Sequence, residues 1–421
     1  MDNITLKQII ADQRHDFFSK KKLIQRELNL DTYLKTSQVV VISGIRRCGK
    51  SSLLYLIKNL MHIKKEHIIY FNFEDERLIN FQIEDFNELY ALHIELFRPD
   101  TSKIVWFLDE IQNIPNWEKF VNRMYEKGMK IFVTGSNATL LSSEISTTLT
   151  GRNMTIYLMP FSFKEYLRFK NISYSKTIMT TEQQAMLTGE FTKYIETGGF
   201  PQVVKENNSE LISSYYQDII YRDIIARYSL QQTEELKNLS LFIASNISRL
   251  YSYRKLLSIC GVNSVSTIKK YLNYFEQSFL FYFVKKFDYS VRKQILNPKK
   301  IYLSDTGFYG KIGFRATQDF GHLLENIVFL SLKKMGKEIF YHKNKYECDF
   351  VIKENLKIIQ AIQVTAQMNN EKTRERELTG LYEALNTYNL DQGLILTETE
   401  EGEEIYKQKR IVIKPVWKWL L

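Results

Sequence analysis

The chain has 421 residues, of which 44% are hydrophobic and 25% charged, proportions that exclude a disordered or fibrous protein. That length exceeds one ordinary core, so roughly two to four domains are expected. A formal net charge of +10 favours anionic partners such as nucleic acid, nucleotides or acidic lipid, although a lysine-rich solvated surface has the same composition.

The opening MDNITLKQIIADQRHDFF has no apolar signal-peptide core. The longest apolar-aromatic run, Phe279 to Val284, is far short of a membrane span. Cys48, Cys260 and Cys348 lie far apart without metal-ligand spacing, which fits a reducing compartment and no disulfide. The expectation is a cytoplasmic protein with no membrane partner.

Val39 to Ile42 reads as a buried parallel strand, and Ser52 to Leu60 as a helix with apolar Leu53, Leu54, Ile57 and Leu60. Between them, Gly44-Ile45-Arg46-Arg47-Cys48-Gly49-Lys50-Ser51 fits G-x-x-x-x-G-K-[ST]. The glycines let successive N–H groups, on through Ser52, turn toward phosphate oxygens at a helix N-terminus. Lys50 would reach the β- and γ-phosphates, and Ser51 would give its hydroxyl to Mg²⁺. Arg46 and Arg47 either add positive field or are surface arginines.

Strands also fit at His67–Phe73, Ile104–Leu108, Met129–Thr134 and Met154–Leu158, with helical patterns at Ile83–Phe97 and Trp117–Lys127. That alternation implies a parallel sheet with helices on both faces and a nucleotide at the strands' carboxyl ends. The strand from Ile104 finishes in Asp109-Glu110, with Asp109 placed for the Mg²⁺ shell and Glu110 for polarising the attacking water. Asn137 is either a hydrogen-bond partner of that water or a strand-to-helix cap. Arg152 is either a charge stabiliser, in cis or from a neighbouring subunit, or a surface ion pair.

The ordered set GIRRCGKSSLL, LDEIQ, TGSN, LTGR and PFSFKEYL resembles prokaryotic AAA+-type P-loop ATPases, relatives of the archaeal-type ATPases, with a C-terminal domain of unknown function. YIETGGFPQVV, YYQDIIYRDIIARY, YLSDTGF, GHLLENIVFLSL, ECDFVI and IQVTAQMNNEKTRERELTGL carry the resemblance over nearly the whole chain, and LIQREL around Arg26 resembles the family's lead-in. The resemblance implies ATP binding and hydrolysis with Mg²⁺, and a helical lid beside the nucleotide.

The second half reads as further modules. Residues 236–290 give three helical patterns: Leu236–Ile247, Ser252–Ile259, and one starting at Asn263-Ser264-Val265-Ser266-Thr267 and continuing to Phe279. With FLFYFVKKF and KKIYLSD as a wing hairpin, this resembles a winged helix-turn-helix. Arg249, Arg254, Lys255, Lys285, Lys286, Arg292, Lys293, Lys299 and Lys300 make it basic, so duplex DNA or a protein client is the expected partner.

From 317 onward, a helix carrying Glu325 and strands at Glu338–His342, Glu347–Ile352, Lys357–Val364, Gly393–Thr397 and near Ile411 resemble the restriction-endonuclease-like fold. Its active members place a helix Glu, a strand Asp and a Glu-x-Lys pair. Here Glu325 and Asp349 stand at the first two positions, but Gln363-Val364-Thr365 replaces the third. Gln363 lacks the charge that divalent metal wants, and Thr365 lacks the ammonium. The expectation is a degenerate nuclease-like domain, with Lys353, Lys357 or Lys372 as substitutes in the minority case.

The resulting division is a helical lead-in (1–30), an α/β P-loop ATPase core (31–160), a helical lid (161–235), a winged-helix-like domain (236–315) and a degenerate nuclease-like domain (316–421). Three functions compete: an ATP-driven switch coupled to the C-terminal modules, an ATP-gated nuclease, and a DNA- or protein-binding regulator with structural nucleotide. Monomers, dimers and rings are all compatible with the sequence.

Overall fold

The computed structural model describes residues 1–19, 23–138, 149–175, 177–262, 264–313 and 319–421. It divides into two units, Met1–Met159 and Pro160–Leu421. Among the described residues no helix is long and apolar enough to cross a membrane, and the three cysteines are buried and free.

In the first unit, Val39, Val40, Val41 and Ile42 form a β-branched run buried on both faces, as a central parallel strand requires. This strand, β1 (Val39–Ser43), lies between β4 (Lys130–Gly135) and β5 (Asn153–Tyr157), parallel to both. Beyond β4 come β3 (Val105–Asp109) and the edge strand β2 (Ile68–Asn72), giving the all-parallel order β2-β3-β4-β1-β5. Because β4 is inserted between β1 and β3, its carboxyl end stands between the loop that follows β1 and the acids that end β3.

Helices Lys50–Met61, Asp85–Phe97 and Trp117–Glu126 cross over between the strands. The helix Asn3–Phe18, with Asp2 accepting from the Thr5 amide as its N-cap, adds Leu6, Ile9 and Ile10 to the core. The Phe17 ring stacks on Tyr70 of β2 at 3.9 Å.

The second unit begins with helices. Phe163–Phe169 and Thr181–Thr197 each start with a capping box, Ser162 with Glu165 and Thr180 with Gln183. Pro201–Glu206 and Glu210–Asp218 follow, the latter running into a π-helix, Ile219–Ala226. Next come Glu234–Ala244, β6 (Leu250–Tyr251), and the serine-capped helices Tyr253–Cys260 and Val265–Gln277. Asn263, expected at the start of the last of these, lies outside the described residues. β7 (Phe281–Lys285) and β8 (Lys299–Leu303) are antiparallel, with a short helix, Val291–Leu296, between them in the chain, and the sheet runs β6-β8-β7.

A six-stranded mixed sheet completes the chain in the order β13-β14-β12-β11-β10-β9. Its strands are β9 (Glu338–Lys343), β10 (Glu347–Glu354), β11 (Lys357–Val364), β12 (Gln392–Thr397), β13 (Gly402–Tyr406) and β14 (Lys409–Pro415). β9, β10 and β11 are antiparallel neighbours, whereas β12 runs parallel to both β11 and β14. The helix Glu371–Tyr388 contributes Leu378, Leu381 and Leu385 to a core shared with Ile395 and Ile411. β13 was not expected: Gly-Glu-Glu-Ile-Tyr is an exposed edge strand with no buried run to mark it.

Candidate nucleotide site

The turn after β1 folds as a compact loop feeding the helix Lys50–Met61. Gly49 is the residue before that helix and has φ +103°, a conformation open to glycine; no side chain caps this helix start. Arg47 also has positive φ, at 68°. The helix therefore presents uncapped amides at its positive end, the arrangement that receives phosphate. Arg26, from the lead-in, is buried and steadies the loop, donating to the carbonyl oxygens of Cys48 at 3.1 Å and Met159 at 2.5 Å. Burial also pushes the Cys48 thiol above its ordinary pKa, so it fills space as a neutral group.

Lys50 is buried. Its ammonium turns back on its own loop, donating to the carbonyl oxygens of Gly44 at 3.3 Å and Ile45 at 3.4 Å, and lies 3.2 Å from Glu110 Oε1. Burial is the largest single influence and opposes its charge, but Glu110, with Cys48 and Asp109, holds its pKa above the ordinary value. The converse holds for Glu110. Burial works against the carboxylate, while Lys50, then Gln112 and Arg46, leave its pKa below the usual range. The Arg46 guanidinium is itself paired with Glu74 at 2.7 Å.

Asp109 is ringed by hydroxyls. Thr134 of β4 donates to Oδ1, Tyr70 of β2 donates to Oδ2 at 3.2 Å, and Ser51 also bonds the carboxylate. Burial, followed by the charge of Glu110, pushes Asp109 up to about 6. Thr134 also holds the neighbouring acid in place, because its Oγ1 accepts the Glu110 amide at 2.9 Å, and Glu110 sits at φ +51°. Gln112 donates to Glu110 Oε2 at 2.6 Å.

Asn137 is buried beside β1, its carbonyl accepting from the Ser43 hydroxyl at 3.3 Å. Arg152 pairs with Glu126 at 2.9 Å and also donates to Asn122, on the helix Trp117–Glu126. Thr134 and Tyr70 were not foreseen as site residues. The signal for Thr134 was a polar residue ending an otherwise apolar strand.

These residues fit a nucleoside triphosphate with a divalent cation. The helix start offers amides, Lys50 an ammonium, and Ser51 and Asp109 adjacent hard oxygen donors, which suits Mg²⁺ because that ion takes few protein ligands and completes its shell with phosphate and water.

A second charged cluster occupies the C-terminal part. Lys300 of β8 is buried with its ammonium 2.7 Å from Asp349, 2.8 Å from Glu347 and 3.0 Å from Glu325. Burial opposes its charge, but Asp349 and Glu325 outweigh it and hold the pKa well above the ordinary value. Burial, then Asp349, pushes Glu325 up to about 8. Gln363 Oε1 accepts the Asp349 amide at 3.2 Å while its Nε2 donates to Glu377, and Thr365 donates to the Gln367 carbonyl at 3.2 Å.

Two expectations are corrected here. Lys300 was grouped with DNA-facing cations, but carboxylates hold it inside the protein. Lys353, one candidate for the missing ammonium, instead pairs with Glu338 at 2.8 Å. A divalent metal implied by the nuclease-like resemblance does not fit. Lys300 already takes the carboxylates, and among the described residues no group of three or more His, Cys, Asp or Glu side chains is arranged to hold a metal.

A parallel five-stranded sheet with this loop after β1 and paired acids after β3 defines a P-loop ATPase domain of the AAA type, and the model of the AAA domain matches residues 36–167. Two domains of unknown function match further along the chain, DUF8612 over 188–318 and DUF4143 over 320–419. The chain is 35% identical over 438 residues to the uncharacterized protein MJ1544 of Methanocaldococcus jannaschii, covering 99% of this chain and 95% of that one. It is 31% identical over 373 residues to an uncharacterized protein of Haemophilus influenzae, covering 85% and 90% respectively. It belongs to the family of these two proteins, and in this chain an AAA domain precedes a DUF4143 domain.

Among solved structures the chain is matched to AMPPCP-bound DnaA from Aquifex aeolicus (13% identity, 60% of this chain and 89% of that one, TM-score 0.27). Another is the Aeropyrum pernix ORC1 protein in complex with DNA (10% identity, 73% and 90%, TM-score 0.30).

Proposed function

We propose that the chain is a Mg²⁺-dependent ATPase that works as a nucleotide-driven switch for its C-terminal modules. The observation that carries this is the contact of Lys50 with Glu110, next to Asp109 with its Ser51 and Thr134 partners. In hydrolysis Lys50 exchanges the Glu110 carboxylate for phosphate oxygens. Glu110, freed of its ion pair, takes a proton from the water that attacks the γ-phosphorus, and the bond to the β-phosphate oxygen breaks to leave ADP. A divalent cation on Ser51 and Asp109 would supply charge neutralisation of the phosphates. Asn137 orients the water. Arg152 enters as a charge stabiliser only after leaving Glu126.

The division at 161, 236 and 316 belongs to the same proposal. The helix-strand-helix-helix order from Glu234 to Gln277, followed by the antiparallel β7 and β8 with a short helix between them, supports a winged-helix module, and the mixed sheet supports a degenerate nuclease-like one. Arg254, Lys255, Lys269, Lys270, Arg292 and Lys293 are exposed, which supports duplex DNA as the partner. The deciding experiment is phosphate release from Mg²⁺-ATP with and without duplex DNA. Turnover that rises with DNA supports the switch; ATP bound without turnover in either condition favours structural nucleotide. DNA retention that falls steeply with added salt supports backbone contact, and no retention at low salt removes DNA as the partner.

A further inference from the structure

We infer that Lys300 is a built-in cation: its ammonium takes the charge-balancing place of a divalent metal among Glu325, Glu347 and Asp349, which as they stand form no metal-holding group and can draw in on an ion only when that side chain is shortened.

Three carboxylates from two elements converge on one point. Glu325 comes from the helix Phe320–Lys334, and Glu347 and Asp349 from β10. The group at that point comes from a different sheet. Lys300 stands on β8, paired antiparallel with β7 and β6. Its neighbour two residues on, Tyr302, points the same way and donates to Glu325 Oε1 at 2.7 Å. So a lysine and a tyrosine on one face of β8 satisfy the cage from outside the sheet that builds it.

Several of the oxygens are already committed. Asp349 Oδ1 accepts from Lys300, and Oδ2 accepts the Val364 amide at 2.9 Å. Glu325 Oε1 takes both Lys300 and Tyr302. Gln363, at the position where a third acid would stand, spends its two polar atoms on Asp349 and Glu377. A divalent ion could enter only by expelling an ammonium that is buried and already matched to its partners.

The cage is nevertheless not sealed. It borders a cavity of about 700 Å³ that Lys300, Glu325, Glu347, Asp349, Gln363 and Glu377 help to line. Shortening Lys300 leaves carboxylate oxygens facing a water-accessible space, which is what a hard divalent cation requires. The ammonium also ties the β6-β8-β7 sheet to the six-stranded sheet, so the cage acts as an internal weld and not as a metal-dependent phosphodiesterase centre.

The test is Mn²⁺ titration of nucleotide-free full-length protein, read by the electron paramagnetic resonance of free Mn²⁺, on wild type, Lys300→Ala and Asp349→Asn, with the double variant as control. The expected result is no Mn²⁺ that depends on Asp349 in wild type, one extra Mn²⁺ per chain in Lys300→Ala, and loss of that ion in Lys300→Ala/Asp349→Asn. Mn²⁺ should raise the thermal midpoint of Lys300→Ala through this ion and leave the Asp349→Asn comparison in wild type unchanged. Wild type that binds Mn²⁺ and loses it on Asp349→Asn overturns the inference. So does a folded Lys300→Ala that gains no ion. Should Lys300→Ala fold only with Mn²⁺ present, that supports it; a chain that misfolds equally with and without the metal counts against it.

Discussion

The Lys50 ammonium and the Glu110 carboxylate lie 3.2 Å apart in a buried ion pair. Each holds the other in its charged form against the cost of burial, and in the proposed mechanism each is a group that nucleotide claims. Lys50→Ala removes the phosphate ligand and leaves Glu110 unpaired, so titration calorimetry should show no ATP binding. Glu110→Gln keeps the shape and loses the base. It should bind ATP, and turnover should fall about 10²–10⁴-fold. A Glu110→Gln variant that hydrolyses like the parent would remove Glu110 from its assigned role.

Thr134 links both acids, donating to Asp109 and accepting the Glu110 amide. Thr134→Val leaves buried polar groups unpaired and should cost about 1–3 kcal/mol of stability. ATP turnover should fall with it. Thr134→Ser should restore both, since it returns the hydroxyl; urea melts and phosphate release on the three proteins check this.

Gly198 has φ +74°, and a Cβ there would stand 1.7 Å from Asp305 Oδ1. Gly198→Ala therefore combines left-handed strain with overpacking, a loss of about 2–5 kcal/mol. Denaturant unfolding should register it as a lower midpoint. An unchanged midpoint would mean that Asp305 can move away without penalty.

Asp305 is buried, and its carboxylate accepts the amides of Gly199 at 2.7 Å and Gly307 at 2.9 Å. Burial nevertheless raises its pKa from 3.8 to about 7. Between these values the folded chain keeps a proton that the unfolded chain has released. By linkage this contribution favours folding at low pH and is lost as pH rises toward 7, on the order of 4 kcal/mol in all. Asp305→Asn, which cannot titrate, should flatten the fall in stability between about pH 4 and 7. Urea melts at intervals across that window, wild type against variant, provide the check; parallel curves would show that Asp305 does not carry the dependence.

Much of the ATPase core was legible because its chemistry is local. Strand, glycine turn, lysine and helix follow one another between Val39 and Leu60, and an apolar run ending in two acids marks β3. Local backbone conformation, period and end residues set these features, and they are written in adjacent positions. Tyr70 gave no such signal, because its hydroxyl reaches Asp109 only through the pairing of β2 with β3.

Lys300 marks where sequence alone stops. Composition, charge and the resemblance to an AAA+-type ATPase were available from the residues, as were the departures at Gln363 and Thr365. Read along the chain, Lys299-Lys300 is a basic pair of the kind that faces nucleic acid. The fold turns β8 so that Lys300 enters a cage whose acids lie from 25 to 49 residues further on. The reason is physical: the fate of a charge depends on the dielectric and the partners around it, and those are assembled only when distant segments pack.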